Sequence, residues 1–366
     1  MGSEMCIRDR GGVGIPGNVF GSAWVEVGIK DNLTPTLTPI IGSLTKFSMK
    51  VLGVSTAIGA LTAAIKGSAD AFTEWDRELH NVWTLLDKNR QEMESEGSAI
   101  RALAREYDVS ATKAAEAMYH IHSAVFYNAS AFKILKTAMQ GAAAGLSDVI
   151  PTAKMLTSVL NAYGMSADQV QHVNDLMFTT IRYGVTTMPE LASQFGRLAG
   201  IAAPVGASLE DMTAAIATLT RQGIQTDWAI TSLRQTLMQF IKPTKNLKDA
   251  IHDLGFESGS TLIKTYGFAE ALRKVTEWAK ENGVAIDQMF TNVRAVTAVL
   301  PLATTSAAAY AKDQERMANA SGQAALAFKK QTESWSYQIN KFKTLIGDLA
   351  ISFGKLFMPA IKELIT

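Results

Sequence analysis

The stretch GASLEDMTAAIATLTRQGIQTDWAITSLRQTLMQFIKPTK, residues 206–245, decides the fold class of this chain. Apolar side chains recur in it at intervals of three and four residues, which is the period of one face of an α-helix. The first row is Leu209, Met212, Ile216 and Leu219, and the second is Ile230, Leu233, Leu237 and Phe240. The stretch therefore predicts two amphipathic helices in succession.

Residues with distinct backbone preferences mark the ends of both helices. Ser208 is a predicted N-cap, because its hydroxyl can accept from the free N–H groups of the first turn. Gly223 can adopt the left-handed conformation that ends a helix, and Thr226 begins the next one. Pro243 ends the second helix because proline has no N–H to donate. None of these residues suggests catalysis, so function has to come from shape and context.

The same pattern of starts and ends recurs through the centre of the chain. The predicted starts are Ser110, Ser147, Ser166, Thr187, Ser208 and Thr226, and the predicted ends are Gly145, Gly164, Gly184, Gly206 and Gly223. From the second start onward the spacing is about twenty residues, which suits helices of three to four turns joined by short loops. Short loops make successive helices antiparallel. The sequence thus predicts an all-α array of short antiparallel helices.

Composition and charge argue against several classes of protein. The chain has 366 residues, of which 47% are hydrophobic and 19% charged, and its formal net charge is +1. This charge gives no general electrostatic basis for binding nucleic acid or an anionic membrane. Cys6 is the only cysteine, which excludes a disulfide framework and a zinc site built on several thiolates.

The first fifty residues carry little helical signal. Residues 1–10, MGSEMCIRDR, resemble translated adapter sequence, and we treat them as an assembly artefact. Residues 11–49 are predicted to be extended, with a short strand at residues 24–30, where apolar side chains alternate. Residues 12–17 match G-x-G-x-x-G, but no strand precedes them and no helix follows. A loop is therefore the better interpretation than a dinucleotide site.

Residues 50–108 predict a helix of small residues followed by a charged helix or linker. The uncharged run at residues 51–65 has 15 residues, whereas spanning a bilayer takes about 20. A buried helix is favoured, and membrane contact stays open. Glu92, Glu94 and Glu96 alternate but lack the glycine turn and spaced oxygen ligands of a calcium loop, so we expect them to be solvated.

The sequence predicts no catalytic, cofactor or metal site. His120 and His122 form an H-x-H pair, but residues two apart on a helix point to different faces and would not share a metal ion. The spacings H-E-x-x-H, G-x-S-x-G and the P-loop are absent from the chain. We therefore expect a protein that is not an enzyme and takes no cofactor.

Several sequence patches occur in the order found in one known family. They are AAEAMYHIHSAVF (114–126), LTSVLNAYGMSADQVQHVNDLMF (156–178), RLAGIAAPVGASLEDMTAAIATLTRQGI (197–224) and SLRQTLMQFIKPTK (232–245). Together they resemble the core region of tail tape measure proteins of tailed phages, of the TP901-1-like group. The resemblance is strongest over residues 107–245, continues through RAVTAVLPL (294–302), and extends over about two-thirds of the chain.

The resemblance implies a structural protein of a phage or prophage tail. Such proteins lie extended in several copies within the tail tube, set tail length, scaffold tube assembly and are released at infection. The implied partners are the tail tube protein, tail assembly chaperones and other copies of the chain, with the host membrane as a further contact at infection. The implied locations are the tube lumen of the virion and the host cytoplasm during assembly. A membrane-active or pore-associated helical protein and a non-viral helical adaptor stay open as alternatives.

The resemblance also singles out residues within the core. The structural signature consists of Gly206, Ser208, Gly223, Leu233, Arg234 and Pro243. Arg234 belongs to the Leu-Arg step of the family, and Asp175 stands where the family favours aspartate. We expect these two residues to meet and to fix helix register through a bidentate contact. Surface exposure of both is the alternative.

The core helical domain is predicted at residues 109–255, with further helices at 256–320 and an amphipathic C-terminal helix at 321–366. Its apolar row is Phe328, Trp335, Ile339, Phe342, Ile346, Leu349, Phe353, Leu356 and Ala360. From Ile339 the row follows the spacing of a coiled-coil seam. Glycines and a proline within it argue against a long rigid coil. Packing against the core or another copy is favoured over a membrane surface, and the apolar run to the last residue suggests truncation.

Overall fold

A computed structural model describes the backbone of residues 54–365 and the side chains of residues 63–359. This part of the chain contains 17 α-helices and no strand. They are α1 (Val54–Trp83), α2 (Arg90–Glu106), α3 (Ala111–Ser123), α4 (Asn128–Ala144), α5 (Val149–Tyr163), α6 (Val170–Tyr183), α7 (Met188–Val205), α8 (Leu209–Arg221), α9 (Thr226–Ile241), α10 (Lys245–Asp253), α11 (Gly259–Tyr266), α12 (Phe268–Glu281), α13 (Ile286–Met289), α14 (Val293–Leu300), α15 (Ala307–Ala318), α16 (Gln323–Thr332) and α17 (Trp335–Ile365). The predicted all-α class is confirmed.

The interpretations of residues 1–10, 12–17 and 24–30 lie outside the described residues. The uncharged run at 51–65 lies partly outside them, and α1 begins within it. Among the helices that the structure does describe, none combines the length and apolarity needed to cross a bilayer.

The chain divides into two compact units. One is Glu74–Asp348, and the other contains the described residues up to Thr73 and from Leu349 onward. The larger unit contains the predicted segments 109–255 and 256–320, whose boundaries remain predictions. Within the smaller unit, a Cβ on Gly354 of α17 would collide with the backbone carbonyl of Ser68 on α1. Glycine therefore permits a close approach of these two helices.

Alternate helices, more than successive ones, pack against each other in the larger unit. In one layer α3 packs on α5, α5 on α7, α7 on α9, and α9 on α14. In the other layer α4 packs on α6, α6 on α8, and α8 on α15, while α16 packs on both α4 and α6. Because each short loop reverses the chain, every second helix returns to the same layer.

Side-chain caps explain most of the helix starts. Ser110, Thr187 and Ser208 each accept a hydrogen bond from a backbone N–H of the first turn, as predicted. The start predicted at Ser147 lies one residue later, because Asp148 is the N-cap of α5. The Thr226 hydroxyl instead donates to the Glu190 carboxylate, 2.8 Å away, so α9 begins without a side-chain cap of its own.

Left-handed residues mark several of the helix ends. Gly164, Gly206 and Gly223 have φ values of 62°, 93° and 85°. At the end of α4, however, the left-handed residue is Leu146 with φ 52°, and the preceding glycine is not left-handed. Gly145 is nevertheless the C-cap of α4 and Gly184 that of α6, so all five predicted glycine ends lie at or within two residues of the end of a helix.

The two rows of the opening stretch form part of the core. All eight of their apolar side chains are buried. At the end of the second row the Phe240 ring lies 6.3 Å from that of Phe268 and 5.9 Å from that of Phe290. The hairpin therefore provides a face on which later helices pack, and this burial is its main stabilising contribution.

The C-terminal segment differs from the single helix predicted at 321–366. A turn at Glu333 and Ser334 separates α16 from α17, and the Ser334 hydroxyl accepts from the Tyr337 N–H. Beyond it α17 continues without a break through Gly347, Gly354 and Pro359. The expected interruption at these residues is wrong. The close packing at Gly354 gives one physical reason for retaining a glycine there.

Candidate functional site: buried carboxylates that join distant helices

Asp175 on α6 caps a helix that lies far along the sequence. Its Oδ2 accepts from the Gly322 N–H and its Oδ1 from the Ala324 N–H, each at 2.9 Å. These two N–H groups belong to the first turn of α16, which has no side-chain cap of its own. A buried carboxylate at a helix N-terminus satisfies free donors and complements the helix dipole.

The register pair predicted between Asp175 and Arg234 does not form. Asp175 directs its carboxylate to α16, and the Nε atom of Arg234 is buried without a hydrogen-bond partner in the described part of the chain. The layers explain the separation, because α6 packs mainly on α4, α8 and α16, whereas α9 packs on α7 and α14. The alternative of two surface charges does not hold either, since Asp175 is buried and the Nε atom of Arg234 is buried as well.

The bidentate contact occurs instead between α8 and α15. Arg221 donates from Nη1 to Oδ1 of Asp313 at 3.1 Å and from Nη2 to Oδ2. Thr218 donates to Oδ2 at 2.6 Å, and Arg316 donates to Oδ1 at 2.8 Å. Asp313 is fully buried. The contact therefore has the bidentate geometry that was predicted for the other pair, but it joins different helices.

Asp211 joins α8 to two later helices. Its Oδ2 accepts from the Phe268 N–H at 2.9 Å, which caps α12, and its Oδ1 accepts from the side-chain amide of Gln314 on α15. Its backbone carbonyl accepts from the Tyr310 hydroxyl at 3.1 Å. Burial raises the pKa of Tyr310 well above its usual value, so the hydroxyl remains a donor.

Asp348 joins α17 to α2. Arg101 donates from Nε to Oδ1 at 2.6 Å and from Nη2 to the backbone carbonyl of Asp348 at 2.9 Å, and Arg105 donates from Nη1 to Oδ2 at 2.7 Å. Burial raises the pKa of this carboxyl, but the hydrogen bonds from Arg101 and Arg105 outweigh it and hold the pKa below its ordinary value. Asp175, Asp211, Asp313 and Asp348 are hereafter the carboxylate clamps.

Glu96 corrects the expectation of a solvated acidic run. It is buried, and its carboxylate accepts from Lys88 at 2.7 Å and lies 2.8 Å from Nε2 of His122. The other nitrogen of His122 lies 2.8 Å from the carbonyl oxygen of Phe126. An imidazolium can donate to both oxygens at once. Burial raises the pKa of Glu96, but the hydrogen bonds from His122 and Lys88 prevail and lower it.

Metal binding finds no support in the part of the chain that the structure describes. No group of three or more His, Cys, Asp or Glu side chains there could hold a metal ion. His122 is buried against Glu96, while His120 is only partly buried. The H-x-H pair therefore consists of one structural histidine and a neighbour on a different face.

An uncovered apolar row follows one face of α17. Its members Trp335, Ile339, Phe342, Ile346, Leu349, Phe353 and Leu356 are spaced alternately by four and three residues. Each is between 41% and 84% exposed. The opposite face of the helix carries the buried residues Asp348 and Ile351. Exposed apolar rows of this length are unusual on monomeric proteins and indicate an interface.

The other signature residues have structural roles. Gly206 ends α7 in the left-handed conformation, and Ser208 accepts from the Asp211 N–H at 3.0 Å. Leu233 is buried, and Pro243 follows the end of α9. The carboxylate clamps other than Asp175 were missed. The available signal was a lone acid among apolar neighbours, as at Asp348 in the run LIGDLA (345–350).

Comparison with known proteins gives a consistent result. Residues 97–290 match the family described as phage-related minor tail protein. The "Tape measure protein" of Pneumococcus phage Dp-1 is 26% identical over 208 residues, covering 56% of this chain and 18% of that relative. The "Probable tape measure protein" of Clostridium phage phiCD119 is 24% identical over 320 residues, covering 84% of this chain and 34% of that relative. No solved structure gives a significant match.

The chain therefore spans a minor part of the length of both relatives. The match to the family nevertheless extends over more than half of the chain, and both relatives are named for the tape measure. On these grounds the chain belongs to the phage-related minor tail protein family, within its tape measure group.

Proposed function

We propose that the chain is part of a tape measure that sets tail length and scaffolds the tail tube, and that is released at genome delivery. Its role is structural, without catalysis. The family and the names of both relatives support this proposal. The partners are the tail tube protein, the tail assembly chaperones and other copies of the chain. The protein resides in the tube lumen of the virion and in the host cytoplasm during assembly, and it meets the host membrane at infection.

The physical basis of a helical ruler is its constant rise. An α-helix advances about 1.5 Å per residue, so the length of a continuous helix is proportional to its residue count. From Arg90 to Thr332 the chain is built from short helices connected by turns, and such a body does not measure length in this way. We infer that it is a compact head on the ruler, and that long helices such as α17 do the measuring.

The exposed row on α17 is the observation that carries the proposal. Its alternating steps of four and three residues are the spacing at which one helix packs along another over several turns. Three positions of the row are followed by a three-residue step, and two of them are isoleucines, Ile339 and Ile346. Two of the four other positions are leucines, Leu349 and Leu356. Such a row is self-complementary, so it suits the same row on a second copy.

The proposal is tested by charging the row. Phe342→Lys with Leu349→Lys places two cations in the seam, whereas Lys343→Glu changes a charge outside the row and is the control. We expect multi-angle light scattering to give oligomers for the wild type and the control, and monomers for the double variant. In the phage, the double variant should yield few complete tails by electron microscopy. Monomeric wild-type protein, or normal tails with the charged row, would reject assembly through α17.

A further inference from the structure

α16 is a helix that does not cap itself. Its N-cap is Gly322, which is left-handed at φ 80° and provides no side-chain hydrogen bond. The cap is the carboxylate of Asp175, which lies 147 residues earlier in the sequence. Both carboxylate oxygens are engaged, one on the Gly322 N–H and the other on the Ala324 N–H. The first turn of α16 therefore depends on a side chain from another helix.

Asp175 depends on α16 in return. The carboxylate is buried, and its remaining hydrogen bond comes from the Gln171 amide at 3.3 Å. Among the described residues no lysine or arginine pairs with it, unlike Asp313 and Asp348. A buried carboxylate without a cation needs its N–H donors to offset the loss of hydration. The cap and the helix it holds thus stabilise each other.

Apart from this cap, α16 is held by packing and by a side-chain hydrogen bond, which Arg182 of α6 donates to Gln323. Of its ten residues only Ala324 is buried, and Leu326 is about half exposed. The Phe328 ring lies 5.3 Å from that of Tyr107 and 6.2 Å from that of Tyr337. A left-handed glycine precedes the helix and a turn at residues 333–334 follows it. Non-helical residues thus flank this short helix at both ends.

We infer that α16 opens and closes over α4 and α6 as a unit, and that its hydrogen bonds with the Asp175 carboxylate hold it closed. We call α16 (Gln323–Thr332) the strap. The helix packs on both α4 and α6. Its residue Gln331, with Tyr107 and Tyr337, also lines a cleft of about 640 Å³. Opening the strap widens this cleft and uncovers the α4–α6 surface. The strap is independent of whether the chain measures tail length.

Amide hydrogen exchange on the full chain tests the strap. In the wild type, amides of α16 should exchange at least about tenfold faster than those of the buried helix α5, through an opening that depends weakly on denaturant. Asp175→Asn should raise exchange in α16 by about a further tenfold while α5 is unchanged. Asp211→Asn is the matched control, since Asp211 also caps a distant helix. It should raise exchange in α12 and leave α16 unchanged.

Two results would overturn the inference. One is wild-type exchange as slow in α16 as in α5, which would make α16 an inseparable part of the cooperative unit. This comparison uses only the wild type, so it decides the matter even if Asp175→Asn does not fold. The other is a folded Asp175→Asn variant in which exchange in α16 is unchanged, or rises equally throughout residues 74–348.

Discussion

The cluster around Asp313 predicts strong energetic coupling between α8 and α15. Asp313→Asn breaks the ion pairs of Arg221 and Arg316 and leaves one accepting oxygen where two accept now, and each arginine side chain is only 29% exposed. Breaking one partner of a buried pair destabilises a protein by about 3–5 kcal/mol. Arg316 keeps its position over the Tyr183 ring, 4.1 Å from the centroid, so we expect Asp313→Asn to lie near the lower limit, at about 3 kcal/mol.

A pair of double-mutant cycles measures this coupling. Arg221→Gln, Asp313→Asn and the double variant should give an interaction free energy of about 1.5–3 kcal/mol, because both single variants remove the same bidentate contact. The matched cycle uses Asp175→Asn and Arg234→Gln, which do not touch. It should be additive within about 0.5 kcal/mol.

Urea unfolding followed by circular dichroism at 222 nm provides the free energies of unfolding. The slopes of the transitions have to agree among variants, so that differences in midpoint report stability alone. Interaction energies below about 0.5 kcal/mol in the Arg221–Asp313 cycle would refute the coupling of α8 and α15 through that contact. Coupling of similar size in the Asp175–Arg234 cycle would refute the placement of those helices in separate layers.

Substitutions at Asp348, His122 and Gly141 probe three other contacts of the larger unit. The folded-state pKa of Asp348 is lowered, so the stabilisation by its carboxylate is complete above the unfolded pKa of about 3.9 and is lost as pH falls through the folded value. The melting temperature of Asp348→Asn should therefore fall less between pH 5 and pH 2 than that of the wild type. His122→Ala should destabilise the protein by about 2–3 kcal/mol in urea unfolding, because the buried Glu96 carboxylate and the part-buried Phe126 carbonyl lose a donor. Replacing the partly buried histidine, His120→Ala, should change stability by less than about 0.5 kcal/mol. Equal effects of the two substitutions would contradict the assignment. Gly141→Ala should destabilise the protein by about 1–3 kcal/mol, because the new Cβ would meet a buried amide side chain. Gly200→Ala, in open space within α7, should stabilise it by about 0.5–1 kcal/mol in calorimetry. Stability changes of the same sign for both variants would be inconsistent with the packing.

Local chemistry made the helices predictable. The rows of the opening stretch repeat with the helical period, and all of their members are buried as expected. Ser208 and Gly223 act through groups within a few residues of themselves, so the sequence nearby contains their whole effect. The glycine after α4 was predicted correctly as its C-cap, but the left-handed backbone lies one residue later, at Leu146. A leucine rarely adopts this conformation, so the sequence did not indicate it.

The carboxylate clamps could not be paired from sequence alone. Asp313 lies 92 residues from Arg221, and Asp348 lies 247 residues from Arg101. A lone charge in an apolar helix indicates that a partner exists but not which helix supplies it. The sequence therefore indicated that Asp175 has a structural role and assigned it the wrong partner. Only the layer order, in which alternate helices pack, determines which charges meet.

The exposed row on α17 was predictable in spacing but not in surroundings. Its periodicity is visible in the sequence, while coverage by another helix depends on tertiary packing. Gly354 was expected to interrupt the helix and instead lies against α1, where a side chain would not fit. The same residue type thus ends one helix and permits close packing of another, according to its neighbours.

Tail length in a phage that encodes an altered α17 tests the central claim most directly. An in-frame duplication of residues 335–362 adds 28 residues to this helix, which at 1.5 Å per residue is about 42 Å. A flexible segment of the same length, inserted after the exposed Glu257 in the loop before α11, is the control. Electron microscopy of many tails should show a lengthening of about 42 Å with the duplication and none with the loop insertion. Unchanged length with the duplication, or equal lengthening with both, would contradict the account.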